Sequence, residues 1–282
     1  MNTKASLFIF SMLFLLSGLS VSLHAQDDSR VLNRWFQHSD ASNSLYRHLT
    51  KEACLLLDQR ENVVALISDV NEVKQRQQKL KQAMWTLLGP FPEKTNLNPT
   101  ITGSVKKEGY HIENLIYESL PGFFVTASLF IPGNLQKPAP AILFCSGHSL
   151  EAYRKESYQL PLLNLVKKGF IVLAIDPIGQ GERMEYFDPK TNASAIGGST
   201  KEHSYPSPQA SLIGQSVARY FTWDGIRGID YLVSRKEVDA TRIGVHGLSG
   251  GGTQTAYISA LDDRVAASAS AGYITSYRRL ME

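Results

Sequence analysis

The sequence has few cysteines: only Cys54 and Cys145 occur in 282 residues. Two thiols cannot form the disulfide framework that stabilises many small exported domains. Neither thiol has a histidine or cysteine neighbour at the spacing of zinc ligands, so the sequence indicates no metal site. We therefore expect both cysteines to be small buried side chains that are not bridged to each other.

Charge of a single sign is lacking as well. The chain carries 29 lysines and arginines against 26 acidic residues, which gives a formal net charge of +3. No basic cluster and no stripe of aromatic and basic residues suggests a nucleic-acid groove, so we expect no nucleic-acid partner. A hydrophobic content of 43% is ordinary for a globular protein with a buried core.

The first 25 residues follow a separate pattern. Lys4 precedes an apolar run from Ala5 to Leu23, and Ala25 stands directly before polar residues. This pattern is typical of a secretory signal peptide, and a permanent N-terminal anchor is the alternative. We expect residues 1–25 to be removed and the mature protein to be exported to the periplasm or the extracellular space, free of the membrane.

Residues 26–100 are predicted to form a helical N-terminal extension. Leu49 and Leu56 lie on one face of a helical pattern, and a second pattern follows the possible cap residues Asp69 and Glu72. A Gly-Pro-Phe-Pro segment then ends the helical pattern. We expect these helices to cover the main domain, and a partner-binding arm is the alternative.

Residues 101–282 are predicted to form an α/β domain. Alternating apolar and polar residues around a Leu-Pro-Gly turn predict an antiparallel hairpin at a sheet edge. Continuous apolar runs separated by helical stretches then predict parallel strands covered by helices on both faces. A polar stretch from residue 182 to about residue 211 predicts a long loop over the active face. The predicted parallel strands are Ala141–Cys145, Phe170–Ile175, Ile243–His246 and Val265–Ala271, and two predicted helices are Tyr158–Lys168 and Trp223–Leu232.

Ser249 stands at the centre of a G-x-S-x-G pattern, Gly-Leu-Ser-Gly-Gly at residues 247–251. In a tight turn between a strand and a helix, glycines two residues before and after a serine leave room for a strained backbone that projects the hydroxyl. The strand before the pattern and the helical stretch after it supply this context. A phosphate-binding turn is the alternative, but the G-x-G-x-x-G and G-K-[ST] patterns are absent here.

A serine that attacks a carbonyl group needs hydrogen-bond donors for the oxyanion. The backbone N–H of Gly250, the residue after the serine, is placed to give one. The loop after the strand Ala141–Cys145 is placed to give another, and we assign this donor to the backbone of His148. A simple glycine turn is the alternative interpretation of this loop.

These segments together resemble the α/β-hydrolase superfamily, specifically the acetyl xylan esterases and the dienelactone-hydrolase-like carbohydrate esterases. The resemblance rests mainly on SGHS at residues 146–149, DPIGQGER at 176–183, WDGIRGIDYL at 223–232 and RIGVHGLSGGG at 242–252. It implies an α/β-hydrolase fold and a serine esterase that removes acyl groups, often acetate, from plant polysaccharides such as xylan. It also implies that Ser249 is the nucleophile and that no metal or organic cofactor is needed. In the oxyanion loop, many relatives have His-Gly where this chain has Ser-Gly.

The resemblance also bears on the polar residues after the strand Phe170–Ile175. In such enzymes the residues that correspond to Asp176, Glu182 and Arg183 order the turn after this strand. We therefore expect a structural role for these three side chains.

The sequence lacks any histidine after His246. In this fold a carboxylate and then a histidine follow the nucleophile along the chain. We expect both beyond Glu282, in a longer enzyme whose last strands are missing here, and we expect the 282 residues alone to be marginally stable with little esterase activity. His148, His203 and His246 are the alternatives for the base.

The leading hypothesis is thus an exported serine esterase with an acylated polysaccharide or oligosaccharide as its substrate. A serine peptidase of the prolyl oligopeptidase type shares the serine turn, but such enzymes usually carry a large propeller domain, and the helical extension predicted here is no propeller. A non-catalytic carbohydrate-binding protein is the third hypothesis. The intact Ser249 with its glycines favours an enzyme over this last possibility.

Overall fold

The computed structural model describes residues 42–281, so the predicted signal peptide lies outside the described residues. The chain separates into two compact units that divide between residues 64 and 65. The described part of the first unit consists mainly of helix α1, Ser44–Ala65. The division lies N-terminal to the boundary predicted at residue 100, because the next helix packs within the second unit. Within residues 42–281, no helix has both the length and the apolar character needed to cross a membrane.

The second unit contains nine strands and seven further helices among the described residues. The strands are β1 (Thr100–Lys107), β2 (Tyr110–Leu120), β3 (Phe123–Pro132), β4 (Ala139–Cys145), β5 (Ile171–Ile175), β6 (Phe187–Asp188), β7 (Ala193–Ser194), β8 (Val238–Leu248) and β9 (Val265–Ala271). The helices are α2 (Val70–Leu88), α3 (Glu156–Lys167), α4 (Ser199–Ser204), α5 (Ser207–Leu212), α6 (Val217–Ser234), α7 (Gly250–Leu261) and α8 (Tyr277–Met281), with one turn of 3-10 helix at Ala152–Arg154.

Seven of these strands form one sheet in the order β1-β2-β3-β5-β4-β8-β9. Strands β5, β4, β8 and β9 pair in parallel, whereas β1, β2 and β3 pair antiparallel with their neighbours. Strand β2 runs in the same direction as the four parallel strands, because β2 and β5 are both antiparallel to β3. The prediction of an α/β fold with a mostly parallel sheet and an antiparallel N-terminal hairpin is confirmed. The predicted hairpin, β2 and β3, does not lie at the sheet edge, because β1 pairs with β2 there.

Apolar side chains cover both faces of the central strands, as the continuous apolar runs predicted. Strand β9 differs from the prediction, because its residues 266–269 are exposed. Consecutive residues of a strand point to opposite faces. Along β4, Leu143 joins one buried cluster with Ile229 of α6, and Phe144 joins the other with Leu162 of α3. Burial of each side chain of this size stabilises the fold by about 1.5–3 kcal/mol. The helices on the two faces thus hold the carboxyl ends of β4, β5 and β8 at one edge.

Helix α2 has the predicted cap and packs on α6. The side chain of Asp69 accepts a hydrogen bond from the backbone N–H of Glu72 at 3.0 Å, which satisfies one of the free N–H groups at the start of the helix. Near its other end, the ring of Trp85 lies edge-on to Phe91, with centroids 4.2 Å apart. Phe91 in turn contacts Trp223 of α6 at 5.3 Å. These aromatic contacts place α2 in the sheet-containing unit.

The region predicted as a long loop contains short elements, which corrects the sequence analysis. Residues 182–211 hold the β6–β7 hairpin, helix α4 and most of α5. The fully buried carboxylate of Glu202 accepts hydrogen bonds from the backbone N–H groups of Glu185 and Tyr186 at 2.7 and 3.2 Å, and from the hydroxyl of Ser194. Elements of two to six residues are too short to show a hydrophobic period. A buried carboxylate therefore organises a segment that the sequence presents as irregular.

Two smaller predictions also differ from the structure. Cys145 is fully buried and burial raises its pKa to about 12, but Cys54 is only partly buried; both thiols are free. Strand β8 begins at Val238, before the predicted start at Ile243. The prediction missed residues 239–242 because they are mainly polar and none of them is buried. Their pairing with β4 is interrupted by a register shift between Ala139 and Ala141.

Candidate active site

Ser249 forms the turn between strand β8 and helix α7, with φ +58° and ψ −119°. Residues other than glycine rarely adopt a positive φ, and such a conformation costs on the order of 1–3 kcal/mol. The backbone of Ser249 is held on both sides: its N–H donates to the carbonyl of Ala271 at 2.8 Å, and its carbonyl accepts from the N–H of Thr253 at 3.0 Å. The side chain is exposed. This is the strained, projecting turn that the G-x-S-x-G pattern predicted.

Gly247 and Gly251 occupy positions where any side chain would collide with backbone. A Cβ built on Gly247 would lie 2.3 Å from the carbonyl oxygen of Gly251. A Cβ built on Gly251 would lie 1.9 Å from the carbonyl oxygen of Cys145, at the end of β4. Neither carbonyl can move away without disturbing the sheet or the helix. The glycines around Ser249 are therefore required by the close approach of α7 to β4 and β8.

The loop after β4 lies directly beside the serine. A Cβ built on Gly147 would be 3.1 Å from the Cβ of Ser249 and 2.5 Å from the carbonyl oxygen of Leu248. No described residue accepts a hydrogen bond from the backbone N–H of His148. The N–H of Gly250 stands at the first position of α7, where an N–H has no acceptor within the helix. Both predicted oxyanion donors lie next to Ser249 in chain or in space, and their role stays a prediction.

The structure brings His148 and His203 together near the serine turn. Their Nε2 atoms are 3.3 Å apart and their rings are nearly parallel. A Cβ built on Gly250 would lie 3.0 Å from Cε1 of His148, so this ring lies against the start of α7. Desolvation lowers the pKa of His203, and the nearby His148 lowers it further. Of the histidines proposed as alternative bases, these two therefore belong to the site.

His246 has a different environment. Its ring lies edge-on to Phe144, with centroids 5.4 Å apart, and its Nδ1 is 3.0 Å from the carbonyl oxygen of Ala269. These contacts fit the packing role within the sheet that the sequence analysis favoured. Within residues 42–281, no three or more His, Cys, Asp or Glu side chains are arranged to hold a metal ion.

A small cavity of about 170 Å³ opens beside the two histidines and Gly250; we call it the nucleophile-side cavity. Two glutamines in its wall were missed by the sequence analysis. Gln180 accepts a hydrogen bond from the backbone N–H of Ser149 at 2.6 Å, which fixes the loop after β4. Gln254 is 7% exposed, and its Oε1 has no hydrogen-bond partner among residues 42–281. Gln180 lies inside the DPIGQGER segment that carries the family resemblance, so this residue could have been predicted to belong to the site. No motif in the sequence indicated Gln254.

Asp176 organises the turn after β5, as predicted. Its carboxylate is fully buried and accepts hydrogen bonds from the Thr126 hydroxyl at 2.7 Å, the Arg154 guanidinium at 2.7 Å and the backbone N–H of Glu182 at 3.2 Å. Arg154 also contacts the Glu182 carboxylate at 3.0 Å. With these oxygens occupied by structural donors, Asp176 has the ordering role that the resemblance implied.

Arg183 links the same turn to helix α6. Its guanidinium lies 2.8 Å from the Asp224 carboxylate and both side chains are buried. Arg183 also donates to the backbone carbonyl of Asp176 at 3.0 Å. Burial raises the pKa of Asp224, and the Arg183 charge opposes that rise. The hydroxyl of Tyr117 on β2 donates to the backbone carbonyl of Asp224 at 2.8 Å, so one buried group of contacts joins β2, the turn after β5 and α6.

Comparison with known proteins adds independent information about this architecture. In Bacillus subtilis (strain 168), the provisionally named hydrolase YtaP is 27% identical over 200 residues, which cover 66% of this chain and 60% of YtaP. The structure of a provisionally named acetyl xylan esterase from Bacteroides fragilis NCTC 9343 (BF1801) has a TM-score of 0.59 at 25% identity, covering 70% of this chain and 53% of that protein. The structure of the methylesterase BT1017 has a TM-score of 0.58 at 28% identity, and the match covers 74% of this chain and 44% of the BT1017 chain. The chain thus spans about half of the length of these relatives.

The family comparison covers the whole sheet and the site. Residues 90–282 match the family described as acetyl xylan esterase (AXE1). This match includes the strands that position Ser249, the loop that carries His148 and the segment that carries His203. Because it extends over more than half of the sequence, the chain belongs to the acetyl xylan esterase (AXE1) family.

Proposed function

We propose that this protein is a carboxylic ester hydrolase that removes acyl groups, with acetyl as the leading candidate, from carbohydrate through a covalent intermediate on Ser249. The observation that carries the proposal is the positive φ of Ser249 in a turn where Gly247 and Gly251 admit no side chain. A strained residue held by its surroundings is a mark of a functional site. Membership of the acetyl xylan esterase family supports the reaction class.

The reaction follows from the groups around the serine. The Oγ of Ser249 attacks the ester carbonyl carbon while the hydroxyl proton passes to a base, and the carbonyl oxygen becomes an oxyanion. The N–H groups of Gly250 and His148 donate to this oxyanion, and a donor of this kind contributes about 10²–10³ in rate. The bond between the carbonyl carbon and the alcohol oxygen then breaks, the alcohol takes the proton from the base and leaves, and the acyl group stays on the Oγ of Ser249. Water attacks the acyl-serine in the same way and releases the carboxylic acid.

The base must be a group that is neutral when the reaction begins. His203 meets this condition in the described site, since desolvation and the nearby His148 lower its pKa below the ordinary value of 6.5. The ring of His148 stacks on that of His203. Both precede Ser249 along the chain, against the usual order in this fold. We therefore treat the pair as the candidate base to be tested by substitution.

Export of the protein is part of the same proposal. Its support is the sequence of residues 1–25, where Lys4 precedes an apolar run and Ala25 precedes polar residues. A polysaccharide substrate is too large to enter a cell without prior cleavage, so an exported enzyme would meet it first. N-terminal sequencing of the protein recovered from its host would test this, and a retained Met1 would contradict it.

The experiment for the reaction compares the 282-residue chain with Ser249→Ala. If His148 or His203 is the base, the unsubstituted chain releases acetate from p-nitrophenyl acetate and from acetylated xylan, in contrast to the little activity that the sequence analysis expects. Ser249→Ala should then lose this release with an unchanged thermal unfolding curve. Ser234→Ala, which removes a hydroxyl bonded only to a helix carbonyl, is the matched control and should retain turnover. His148→Gln and His203→Gln identify the base. Turnover that survives in Ser249→Ala, or binding of acetylated xylan without hydrolysis, would contradict the proposal.

A further inference from the structure

A second cavity lies at the same edge of the sheet, apart from the serine. It has a volume of about 500 Å³ and is lined by three aromatic rings, Phe123, Tyr186 and Tyr220; we call it the aromatic cavity. Glu185 and Gln209 are the acidic and amide side chains in its wall, and the rest of the lining is mainly aliphatic. An acetyl group is far too small to need a cavity of this size. A ligand that filled it would therefore be larger than an acetyl group.

The aromatic cavity and the nucleophile-side cavity each share wall residues with a third space. A shallow cleft of about 580 Å³ shares His203, Ala218 and Phe221 with the nucleophile-side cavity, and shares Val217 with the aromatic cavity. All three spaces therefore run along the first turns of α6. From Val217 to Thr222 the helix rises by roughly 7–8 Å, at about 1.5 Å per residue. This distance is comparable with the length of a sugar unit.

The rings of the aromatic cavity are held in place before any ligand binds. Phe123 and Tyr220 meet edge to face with centroids 6.2 Å apart, and the Arg183 guanidinium lies 5.1 Å from the centre of the Phe123 ring. The hydroxyl of Tyr220 donates to Gln215 at 2.6 Å. The backbone N–H of Tyr186 is held by the buried carboxylate of Glu202. A preformed surface loses little conformational entropy when a ligand binds.

The mixture of rings and polar groups favours a sugar over an aromatic acyl group. A sugar has an apolar face, which packs on aromatic rings, and a rim of hydroxyls, which donate to a carboxylate. The side chain of Glu185 is exposed. An aromatic acyl group placed over it would remove water from the carboxylate without giving it a donor, which is costly. A sugar hydroxyl satisfies Glu185 directly, and the amide of Gln209 offers a further donor and acceptor.

From these observations we infer that the aromatic cavity is a sugar-binding subsite, which holds a neighbouring unit of the glycan while its acylated unit lies at Ser249. This inference rests on the proposed hydrolysis of acylated carbohydrate. It assigns Tyr186 and Tyr220 as stacking platforms and Glu185 as the acceptor for a sugar hydroxyl. The shallow cleft along Val217, Ala218 and Phe221 carries the link between the two units.

The test measures binding and does not depend on turnover. In a Ser249→Ala background, calorimetric titration with xylotetraose should show binding that weakens about tenfold in Tyr186→Ala and also in Glu185→Gln. Phe187→Ala, which removes an exposed ring from the residue next to Tyr186 outside the cavity wall, is the matched control and should bind normally. Gln209→Trp fills the cavity without removing a packed side chain and should also abolish binding, which covers the case of a Tyr186 variant that fails to fold.

The outcomes separate this inference from the proposed function. Two results would overturn the sugar subsite. One is equal xylotetraose affinity in all variants. The other is that p-nitrophenol-type aromatics bind more tightly than xylotetraose and that Gln209→Trp blocks their binding. Either result leaves the hydrolysis of p-nitrophenyl acetate untouched. Conversely, loss of xylotetraose binding in Tyr186→Ala and Gln209→Trp supports the subsite even where acetate release by the chain with Ser249 is absent.

Discussion

The Nε2 atoms of His148 and His203 lie 3.3 Å apart beside the serine turn, although 55 residues separate them in sequence. In this contact one ring nitrogen donates and the other accepts, so at least one of the two imidazoles is neutral. Charging both rings would place two positive charges side by side in a partly desolvated place. The protonation of this pair therefore couples the site to pH.

The first prediction concerns stability below neutral pH. Desolvation and the neighbouring His148 lower the pKa of His203 beneath its ordinary value of 6.5, and Glu202 opposes this only in part. The folded state then binds fewer protons than the unfolded state, so the free energy of unfolding should fall as the pH drops below 6.5. Urea unfolding between about pH 7.5 and 5 should show that the free energy of unfolding falls less in His203→Gln than in the unsubstituted chain. Parallel pH profiles would mean that another group controls acid stability.

The second prediction concerns the strain at Ser249. Glycine adopts φ +58° with little cost, whereas alanine carries the same steric penalty as serine. Ser249→Gly should therefore exceed Ser249→Ala in free energy of unfolding by about 1 kcal/mol. Both variants should lack ester hydrolysis, because both lack the hydroxyl. Denaturant titration of the two proteins measures the difference, and equal stabilities would show that the turn is relaxed.

The third prediction concerns the glycine that allows α7 to approach β4. Gly251→Ala would place a Cβ 1.9 Å from the Cys145 carbonyl oxygen, so it should cost at least about 2 kcal/mol of stability. Gly198→Ala is the control, because a Cβ there meets nothing within 4 Å. That variant should stay within about 0.5 kcal/mol of the parent protein. Thermal unfolding of both variants decides between a specific clash and a general effect of replacing glycine.

The fourth prediction concerns the buried pair of Arg183 and Asp224, which are 2.8 Å apart. Arg183→Met leaves the Asp224 carboxylate buried without its partner and should cost about 3–5 kcal/mol. The pKa of Asp224 then rises further above its unfolded value, so this variant should gain stability as the pH is lowered. Arg183→Met combined with Asp224→Asn should recover much of the loss. A double variant as unstable as the single one would show that Arg183 acts through its other contact, the Asp176 carbonyl.

The sequence predicted those parts of the fold that depend on local patterns. Strand β4 could be predicted because its apolar run is buried on both faces. The serine turn could be predicted because Gly247 and Gly251 must lack side chains. The start of β8 was not readable, since polar residues there are paired through an irregular register with β4. These residues are held in the strand by backbone hydrogen bonds, and the amino-acid composition of the segment does not reveal such bonds.

The parts of the site that sequence reasoning missed depend on contacts between distant segments. The segment with α4 and α5 is ordered by Glu202, whose partners Glu185 and Tyr186 lie 17 and 16 residues away. His203 enters the site only because this segment folds back over the carboxyl edge of the sheet. No periodicity or motif records such contacts, so the histidine pair and the aromatic cavity became visible only in three dimensions.

The burial of Cys145 gives the protein an internal reporter of sheet opening. Its thiol lies at the end of β4, between β5 and β8, and a pKa of about 12 leaves almost no thiolate to react at neutral pH. Alkylation of this sulfur therefore requires the strands on both sides to separate. The rate at which a thiol reagent modifies Cys145 would measure how often the framework beneath Ser249 comes apart, independently of any substrate.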